Sequence, residues 1–294
     1  MSYNMDVKTL DVRIIKGVGG LYTVVSEAGL YRARARGLFR KEKITPLPGD
    51  LCRMAVVDEP TKSGYLTDIL PRRSELARPR AANVDLVVVV AAAARPDVNH
   101  DMLNRLLVNI ECAGLPLMIA LNKTDLADRA FTERFLADYG RAGYPVCPTS
   151  VPERRGVDTL KALMAGKFCV VAGPSGAGKS SLLSAAFPGL ALKTGEVSEK
   201  IGRGRHTTRH TELFDTGRGF VADTPGFTRT AFAGIRRGEL AGCFPEFAPF
   251  TGVCRFADCA HVSEPDCAVK AEIGAGVPRE RYECYKRFYQ ELTE

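Results

Sequence analysis

The amino-acid sequence predicts a multi-domain protein with an N-terminal β-barrel, a central α/β domain with a phosphate-binding loop, and a small C-terminal helical unit that binds metal. Three observations predict this fold class. Short β-like runs fill the first 74 residues, apolar strands alternate with helical stretches from Val84, and cysteines cluster after residue 232. A chain of 294 residues that is 45% hydrophobic suits two or three domains. We expect them at residues 1–74, 75–232 and 233–294.

The first 74 residues predict a small β-barrel of the OB-fold type. Strand-like runs at residues 20–25, 30–34 and 51–57 are separated by turn residues rich in glycine and proline. This segment carries 13 Lys and Arg against 8 Asp and Glu. Its net charge is therefore +5, which is most of the chain's net charge of +7. Arg32, Arg34 and Arg36 alternate and therefore share one strand face. That face suits nucleic acid, and an ordinary solvated strand face is the alternative.

From Val84 the pattern predicts a parallel sheet with helices on both of its faces. The strands are unbroken apolar runs, as expected for strands that are buried on two sides. Predicted strands lie at residues 85–93, 116–121, 145–149 and 168–172, and predicted helices lie at 100–113, 131–142 and 157–165.

A phosphate-binding loop follows the strand at 168–172. The segment GPSGAGKS at residues 173–180 matches G-x-x-x-x-G-K-[ST] and opens a helix at Lys179. Backbone N–H groups of such a loop surround phosphates, Lys179 reaches the β- and γ-phosphates, and the Ser180 hydroxyl ligates Mg²⁺. The predicted phosphate-binding residues are Gly173, Pro174, Ser175, Gly176, Ala177, Gly178, Lys179, Ser180 and Ser181.

The tetrapeptide Asn122-Lys123-Thr124-Asp125 predicts that the nucleotide is GTP. It follows the strand at 116–121, and an Asp125 carboxylate can accept hydrogen bonds from guanine N1–H and N2–H₂, which adenine does not offer as a pair. Asn122 and Lys123 would brace the base site. Thr149 and Ser150 end the next strand and suit the loop whose backbone N–H contacts guanine O6.

The order of these motifs indicates a circularly permuted GTPase. The guanine motif precedes the phosphate-binding loop, whereas small GTPases place it last. GRGRHTT at residues 202–208 resembles a switch I threonine segment, and DTPG at residues 223–226 is the D-x-x-G of switch II. Permutation preserves a site when the original termini lie close together.

Four residues near the C-terminus predict a closed structural zinc site. Cys254, Cys259, His261 and Cys267 offer three thiolates and one imidazole within 14 residues. Metal would replace the core that a unit of this size lacks. The remaining cysteines lack metal-ligand spacing, and we expect no disulfide framework, because nine is odd and the cytosol keeps thiols reduced. They are Cys52, Cys112, Cys147, Cys169, Cys243 and Cys284, interpreted as buried or incidental.

The sequence also favours a cytoplasmic protein without a membrane anchor. The N-terminus lacks the pattern of a secretory signal. The longest apolar run, residues 86–94, is far shorter than the roughly 20 residues that span a bilayer.

Together, the permuted motif order, G-x-H-T-T, D-T-P-G and the cysteine cluster resemble the small-subunit-dependent GTPase family RsgA/YjeQ over essentially the whole chain. The resemblance implies an OB-fold, a permuted GTPase domain and a zinc domain. It implies hydrolysis of GTP to GDP with Mg²⁺, stimulation by the 30S ribosomal subunit, contacts with 16S rRNA and a role in late subunit maturation. We expect a monomer. One departure is Val151, where GTPases usually have alanine in the guanine-O6 loop.

The residue that orients the attacking water is not evident from the family pattern. Many GTPases have glutamine after D-x-x-G, and this chain has Phe227. His206 is our candidate, because it precedes the switch threonines and an imidazole can orient a water. Arg203, Arg205 or rRNA are alternatives. The full predicted catalytic set is His206, Lys179, Thr207, Thr208, Asp223 and Gly226.

Two other functions remain compatible with the residues alone. A P-loop kinase acting on a small molecule would make the guanine motif accidental. An RNA-binding protein could hold GTP without hydrolysing it.

Overall fold

The structure is a computed structural model that describes residues 8–37, 39, 44–77, 80–190, 211–223, 232 and 234–292. The chain divides into two compact units. The first comprises Met1–Asp85, Ala165–Val170 and Gly189–Gly226, and the second comprises Leu86–Met164, Val171–Pro188 and Phe227–Glu294. This division into two units does not test the three predicted domain boundaries, which stay a prediction.

The first unit contains a closed five-stranded barrel, which confirms the predicted fold. The strands are β1 Thr9–Val18, β2 Leu21–Ser26, β3 Gly29–Ala35, β4 Leu51–Asp58 and β5 Ser63–Ile69. Their order is β1-β2-β3-β5-β4, and β1 pairs antiparallel with both β2 and β4 to close the barrel. The interior is apolar, with Ile14, Val24 and Leu66 fully buried. The runs singled out in the sequence correspond to β2, β3 and β4, whereas β1 and β5 were not predicted.

Two short strand pairs accompany the barrel. Strands β6 Glu75–Ala77 and β7 Arg80–Ala82 form a two-stranded sheet. A hairpin of β12 Leu213–Asp215 and β13 Phe220–Asp223 contacts β1, where Lys16 forms an antiparallel bridge and a 2.7 Å ion pair with Glu212.

The α/β region is built on a six-stranded sheet that includes the β12–β13 pair. Its other strands are β8 Leu86–Ala92, β9 Leu117–Asn122, β10 Val146–Pro148 and β11 Phe168–Ala172, and the order is β10-β9-β8-β11-β13-β12. The three strands at one edge are parallel, as predicted. The β12–β13 pair is antiparallel, so the sheet is mixed rather than wholly parallel. Every residue of β8, β9 and β11 is buried, because apolar runs of this kind suit strands covered on two faces.

Helices connect these strands close to the predicted positions. The Asn99 side chain caps the first helix by accepting a 2.9 Å hydrogen bond from the Met102 N–H. The last of these helices begins at Lys179, directly after the phosphate-binding loop. They are α1 His100–Cys112, α2 Arg129–Arg141, α3 Val157–Met164 and α4 Lys179–Ala186.

The described C-terminal residues form a helical region around an aromatic core. Phe244, Tyr285 and Phe288 are buried in it. The fully buried Arg281 pairs with the buried Glu246. Its elements are two 3₁₀ segments, Arg237–Cys243 and Pro245–Phe250, and the helices α5 Ala268–Ala271 and α6 Arg279–Glu291.

The structure pairs two of the cysteines that were interpreted as buried or incidental, although no disulfide framework was expected. Cys112, the last residue of α1, is disulfide-bonded to Cys243. The two residues are 131 positions apart, so no local spacing could have predicted their contact. Cys112 is also exposed rather than buried. Among the described residues, no helix has the length and apolar character to cross a bilayer.

Candidate functional site

The segment predicted to hold phosphate forms a compact turn between β11 and α4. Gly173 and Gly178 have φ angles of +136° and +89°, where a side chain would be strained. A Cβ at Gly173 would lie 2.2 Å from the Val90 carbonyl oxygen, and one at Gly178 would lie 2.4 Å from Asn122 Nδ2. The Lys179 ammonium donates to the carbonyls of Gly173 and Pro174 at 2.9 Å each. Its charge therefore lies inside the curve of the loop, where phosphate oxygens would be held.

The guanine motif is tied to this loop by its first two side chains. Asn122 Nδ2 donates to the Ala177 carbonyl at 3.0 Å. Lys123 Nζ donates to the Gly176 carbonyl at 2.7 Å and to the Arg95 carbonyl. The end of β9 and the phosphate loop are thus linked by direct hydrogen bonds, which fixes the distance between a bound base and its phosphates.

Asp125 presents an unsatisfied acceptor next to this brace. Its Oδ1 atom is buried and has no hydrogen-bond partner among the described residues. A buried acceptor without a partner is costly, and such groups occur where a ligand supplies the missing donor. Guanine N1–H and N2–H₂ are donors of the required kind.

The Thr149–Ser150 segment supports the base loop from the adjacent strand. Thr149 Oγ1 donates to Asn122 Oδ1 at 3.2 Å, and the Thr149 carbonyl accepts from both the N–H and the hydroxyl of Thr124. The Thr149 N–H donates to Leu121 at 2.8 Å and the Ser150 N–H to Arg155 at 2.9 Å. Both N–H groups are therefore already engaged in the protein.

Most of the predicted catalytic residues lie outside the described residues. Asp223 is the last residue of β13. His206, Thr207, Thr208 and Gly226 lie outside the described residues. Arg203, Arg205 and Phe227 are also outside them. Their predicted roles stay predictions.

Sequence reasoning missed the Arg95–Pro96 turn that follows β8. The Arg95 carbonyl accepts from Lys123, and Pro96 Cδ would lie 3.3 Å from a Cβ at Gly176. The turn therefore abuts both nucleotide motifs. Its only signal in the sequence is a proline after a buried strand, which is too common to be diagnostic.

Cys254, Cys259, His261 and Cys267 come together, as the spacing predicted. Their ligand atoms all lie within 4.8 Å of one another. The Cys254 and Cys267 sulfurs are 3.9 Å apart, and His261 Nδ1 lies 3.5 and 3.4 Å from them. Bonds of about 2.3 Å to sulfur place two sulfurs of a tetrahedral zinc site about 3.8 Å apart. The donor set and its spacing therefore fit one zinc ion.

Surrounding groups hold the loop that carries these ligands. The hydroxyls of Tyr282 and Tyr285 donate to the carbonyls of His261 and Ala260 at 2.9 and 2.6 Å. The Glu264 carboxylate accepts from the N–H groups of three residues in the same loop. The ligand loop is thus attached to α6 by hydrogen bonds.

The four cysteines outside the disulfide and the Cys₃His cluster join no metal-ligand cluster among the described residues. Cys52, Cys147, Cys169 and Cys284 are buried. Burial raises the pKa of the Cys52 and Cys169 thiols to about 12, which keeps both protonated at neutral pH.

Comparisons with known proteins agree with this geometry. Residues 69–233 match the RsgA GTPase family and residues 13–66 match the RsgA N-terminal domain. A protein of Bacillus cereus named small ribosomal subunit biogenesis GTPase RsgA is 44% identical over 286 residues, covering 96% of this chain and 97% of its own. A protein of the same name from Geobacillus kaustophilus is 43% identical with the same coverage.

Two solved structures share the fold. The crystal structure of YjeQ from Thermotoga maritima has a TM-score of 0.85 and 32% identity, covering 97% of this chain and 99% of that one. The crystal structure of YloQ, described as a circularly permuted GTPase, has a TM-score of 0.81 and 34% identity, covering 99% and 98%. The GTPase family that matches and the GTPase names of the relatives favour hydrolysis over the kinase and the non-hydrolysing alternatives. A GTPase uses Mg²⁺ with GTP. The chain therefore belongs to the RsgA family of GTPases.

Proposed function

We propose that this protein hydrolyses GTP on the 30S ribosomal subunit during the late maturation of that subunit. The name shared by relatives that match nearly the whole chain supports the ribosomal part. The observation that carries the nucleotide part is the buried Asp125 oxygen, which has no hydrogen-bond partner in the part of the chain that the structure describes, on a loop hydrogen-bonded to the phosphate loop.

The base would be read by Asp125 and by one backbone N–H. Asp125 accepts from guanine N1–H and N2–H₂, while Asn122, Lys123 and Thr124 hold its loop in place. The N–H groups of Thr149 and Ser150 are engaged in the protein. The next N–H in the loop, that of Val151, is therefore the donor we assign to guanine O6.

The phosphates would be held by the loop at residues 173–181. Lys179 contacts the β- and γ-phosphates, and Ser180 with Thr207 or Thr208 ligates Mg²⁺. Asp223 and Gly226 complete the γ-phosphate site. The attacking water would be oriented by His206, because Phe227 cannot form a hydrogen bond to it.

The barrel would contact 16S rRNA through the exposed side of β3, β4 and β5. Arg32 and Arg34 point outward on β3, and Arg53 is exposed on β4. Tyr65 is exposed on β5 in register with Arg34. Arginines beside an exposed ring suit single-stranded RNA, since phosphates pair with guanidinium groups and bases stack on the ring.

The Cys254–Cys259–His261–Cys267 cluster would hold one structural zinc ion. With all four tetrahedral positions taken by protein, the metal would stabilise the fold and leave no open position for catalysis. The proposal includes the predicted domains at residues 1–74, 75–232 and 233–294, a cytoplasmic location and action as a monomer.

A hydrolysis assay with and without purified 30S subunits tests the proposal. We expect slow release of phosphate from GTP by the protein alone and a clear acceleration by 30S subunits. The replacement of both Arg32 and Arg34 by serine should weaken 30S binding and its salt dependence, because fewer counterions are released. Arg129→Ser, which removes an exposed arginine on α2, is the matched control. An unchanged rate with 30S subunits would refute the ribosomal role.

A further inference from the structure

Cys112 and Cys243 lie where a covalent bond joins two parts of the second unit. Cys112 ends α1, and Cys243 ends the first C-terminal 3₁₀ segment. Their Cα atoms are 5.4 Å apart, within the range of 4.4–6.8 Å usual for bonded cysteines. The backbone therefore accommodates the bond without rearrangement.

Other contacts already hold α1 against the C-terminal helices. Asn104 Oδ1 accepts from Arg281 at 2.9 Å, and the Arg105 guanidinium pairs with Glu291. Val108 on α1 is buried in the same core as Cys243. Since these contacts require no sulfur bond, the two cysteines would remain neighbours in the reduced protein.

The two cysteines differ in their exposure to solvent. Residue Cys112 is exposed, whereas residue Cys243 is only 6% exposed. A small disulfide in solution therefore reaches Cys112 first, and Cys243 is placed to resolve the product. Cys112 lies at the carboxyl end of α1, where the partial negative charge of the helix dipole disfavours a thiolate. The disulfide is therefore favoured by the proximity of the Cys243 sulfur and not by an unusually reactive Cys112.

We propose that Cys112 and Cys243 form a reversible thiol–disulfide modification site for low-molecular-weight disulfides such as oxidised glutathione. The Cys112 thiolate attacks one glutathione sulfur, which forms a mixed disulfide and releases one glutathione thiolate. The Cys243 thiolate then attacks the Cys112 sulfur, which forms the intramolecular bond and releases the second glutathione. Two protein thiols are oxidised and one glutathione disulfide is reduced to two thiols, which take up the two protons.

The bond would lock the C-terminal region to α1 without altering the nucleotide site. It closes a loop of sequence separation 131 that contains the guanine motif and the phosphate loop. Such a link restricts the unfolded chain, so the oxidised protein should resist unfolding more than the reduced one. The hydrogen bonds described above for the nucleotide site involve neither cysteine.

Equilibration of the full-length, zinc-loaded protein in glutathione buffers tests this site. After rapid alkylation, peptide mapping should show Cys112 linked to Cys243 with excess oxidised glutathione and both cysteines alkylated with excess reduced glutathione. The thermal midpoint should rise by roughly 5–15 °C on oxidation. Cys112→Ser should abolish both changes, and Cys147→Ala, which removes a buried unpaired thiol, should retain them. GTP affinity should be equal in the two states.

Two results would overturn the proposal. One is alkylation of Cys112 with no link to Cys243 in the oxidised buffer. The other is a link that persists in the folded protein under excess reduced glutathione, which would make the bond a permanent structural one. The zinc content of the same samples should also be measured. Loss of zinc would show that Cys254, Cys259 and Cys267 have been oxidised, which distinguishes that damage from the proposed reaction.

Discussion

Replacement of Asp125 by asparagine tests the base site directly. The side chain keeps its shape, and the hydrogen bonds that Asn122, Lys123 and Thr124 make to hold the loop do not involve the Asp125 carboxylate. The change therefore alters one functional group on an intact scaffold. It replaces a double acceptor by an amide that presents N–H donors toward the donors of guanine.

The size of the effect follows from the burial of the carboxylate. Asp125 Oδ1 is shielded from water and lacks a hydrogen-bond partner within the described ranges, so guanine donors would supply its missing hydrogen bonds. Loss of a charge-assisted pair of this kind costs about 2–4 kcal/mol. The dissociation constant for GTP should rise about 30- to 1000-fold.

Titration of a fluorescent GTP analogue, repeated with xanthosine triphosphate, measures this effect. Xanthine has a carbonyl where guanine has its amino group, so the Asp125→Asn protein should bind xanthosine triphosphate better than the original protein does. Asp128→Asn is the matched control, because Asp128 is exposed three residues away and its side chain does not cap α2. Unchanged GTP affinity in Asp125→Asn would refute the assignment of the base site.

Three further changes test the metal, the water-orienting residue and the buried ion pair. Cys259→Ser should release the single zinc ion, measured by elemental analysis, and unfold the C-terminal region while GTP still binds. His206→Ala should retain GTP and 30S binding but lose about 10²- to 10⁴-fold of the stimulated hydrolysis rate. Arg281→Met should lower the free energy of unfolding, measured in urea, by about 3–5 kcal/mol, because the Glu246 carboxylate stays buried without its partner.

Each of these changes has a control and an outcome that contradicts it. Cys147→Ala should keep the zinc, and a protein that never contains zinc when purified without chelator would contradict the metal assignment. His210→Ala should hydrolyse normally, and a stimulated rate within a few-fold of the original in His206→Ala would remove His206 from the mechanism. Arg287→Met, on the exposed side of α6, should cost under about 1 kcal/mol. If Arg281→Met lowers the free energy of unfolding no more than Arg287→Met does, the buried ion pair contributes little to stability.

The α/β region and both ligand sets were predictable because local patterns specify them. Apolar runs mark β8, β9 and β11, and the glycines of the phosphate loop occupy backbone conformations that other residues rarely adopt. The zinc ligands lie within 14 residues, so their spacing alone indicated a common site.

The features that were missed depend on contacts between distant residues. Strand β1 is polar at many positions, so its sequence alone does not mark it as a strand. It is stabilised as a strand by pairing with β2 and β4. The Cys112–Cys243 bond joins residues 131 apart, and the support of Lys123 by Arg95 depends on two neighbouring strands. Contacts between residues so far apart in the sequence produce no local periodicity or motif from which they could be predicted.

The bridge between Lys16 and Glu212 protects an otherwise open edge of the sheet. Strand β12 is the last strand in the order β10-β9-β8-β11-β13-β12, so one side of it has no neighbour within the sheet. The barrel strand β1 lies against that side, where Lys16 is ion-paired with Glu212. Open edges recruit strands from other molecules, and covering the edge with another segment prevents that pairing. A chain from which the barrel is deleted would thus expose β12 and become prone to aggregation, so the barrel contributes to solubility.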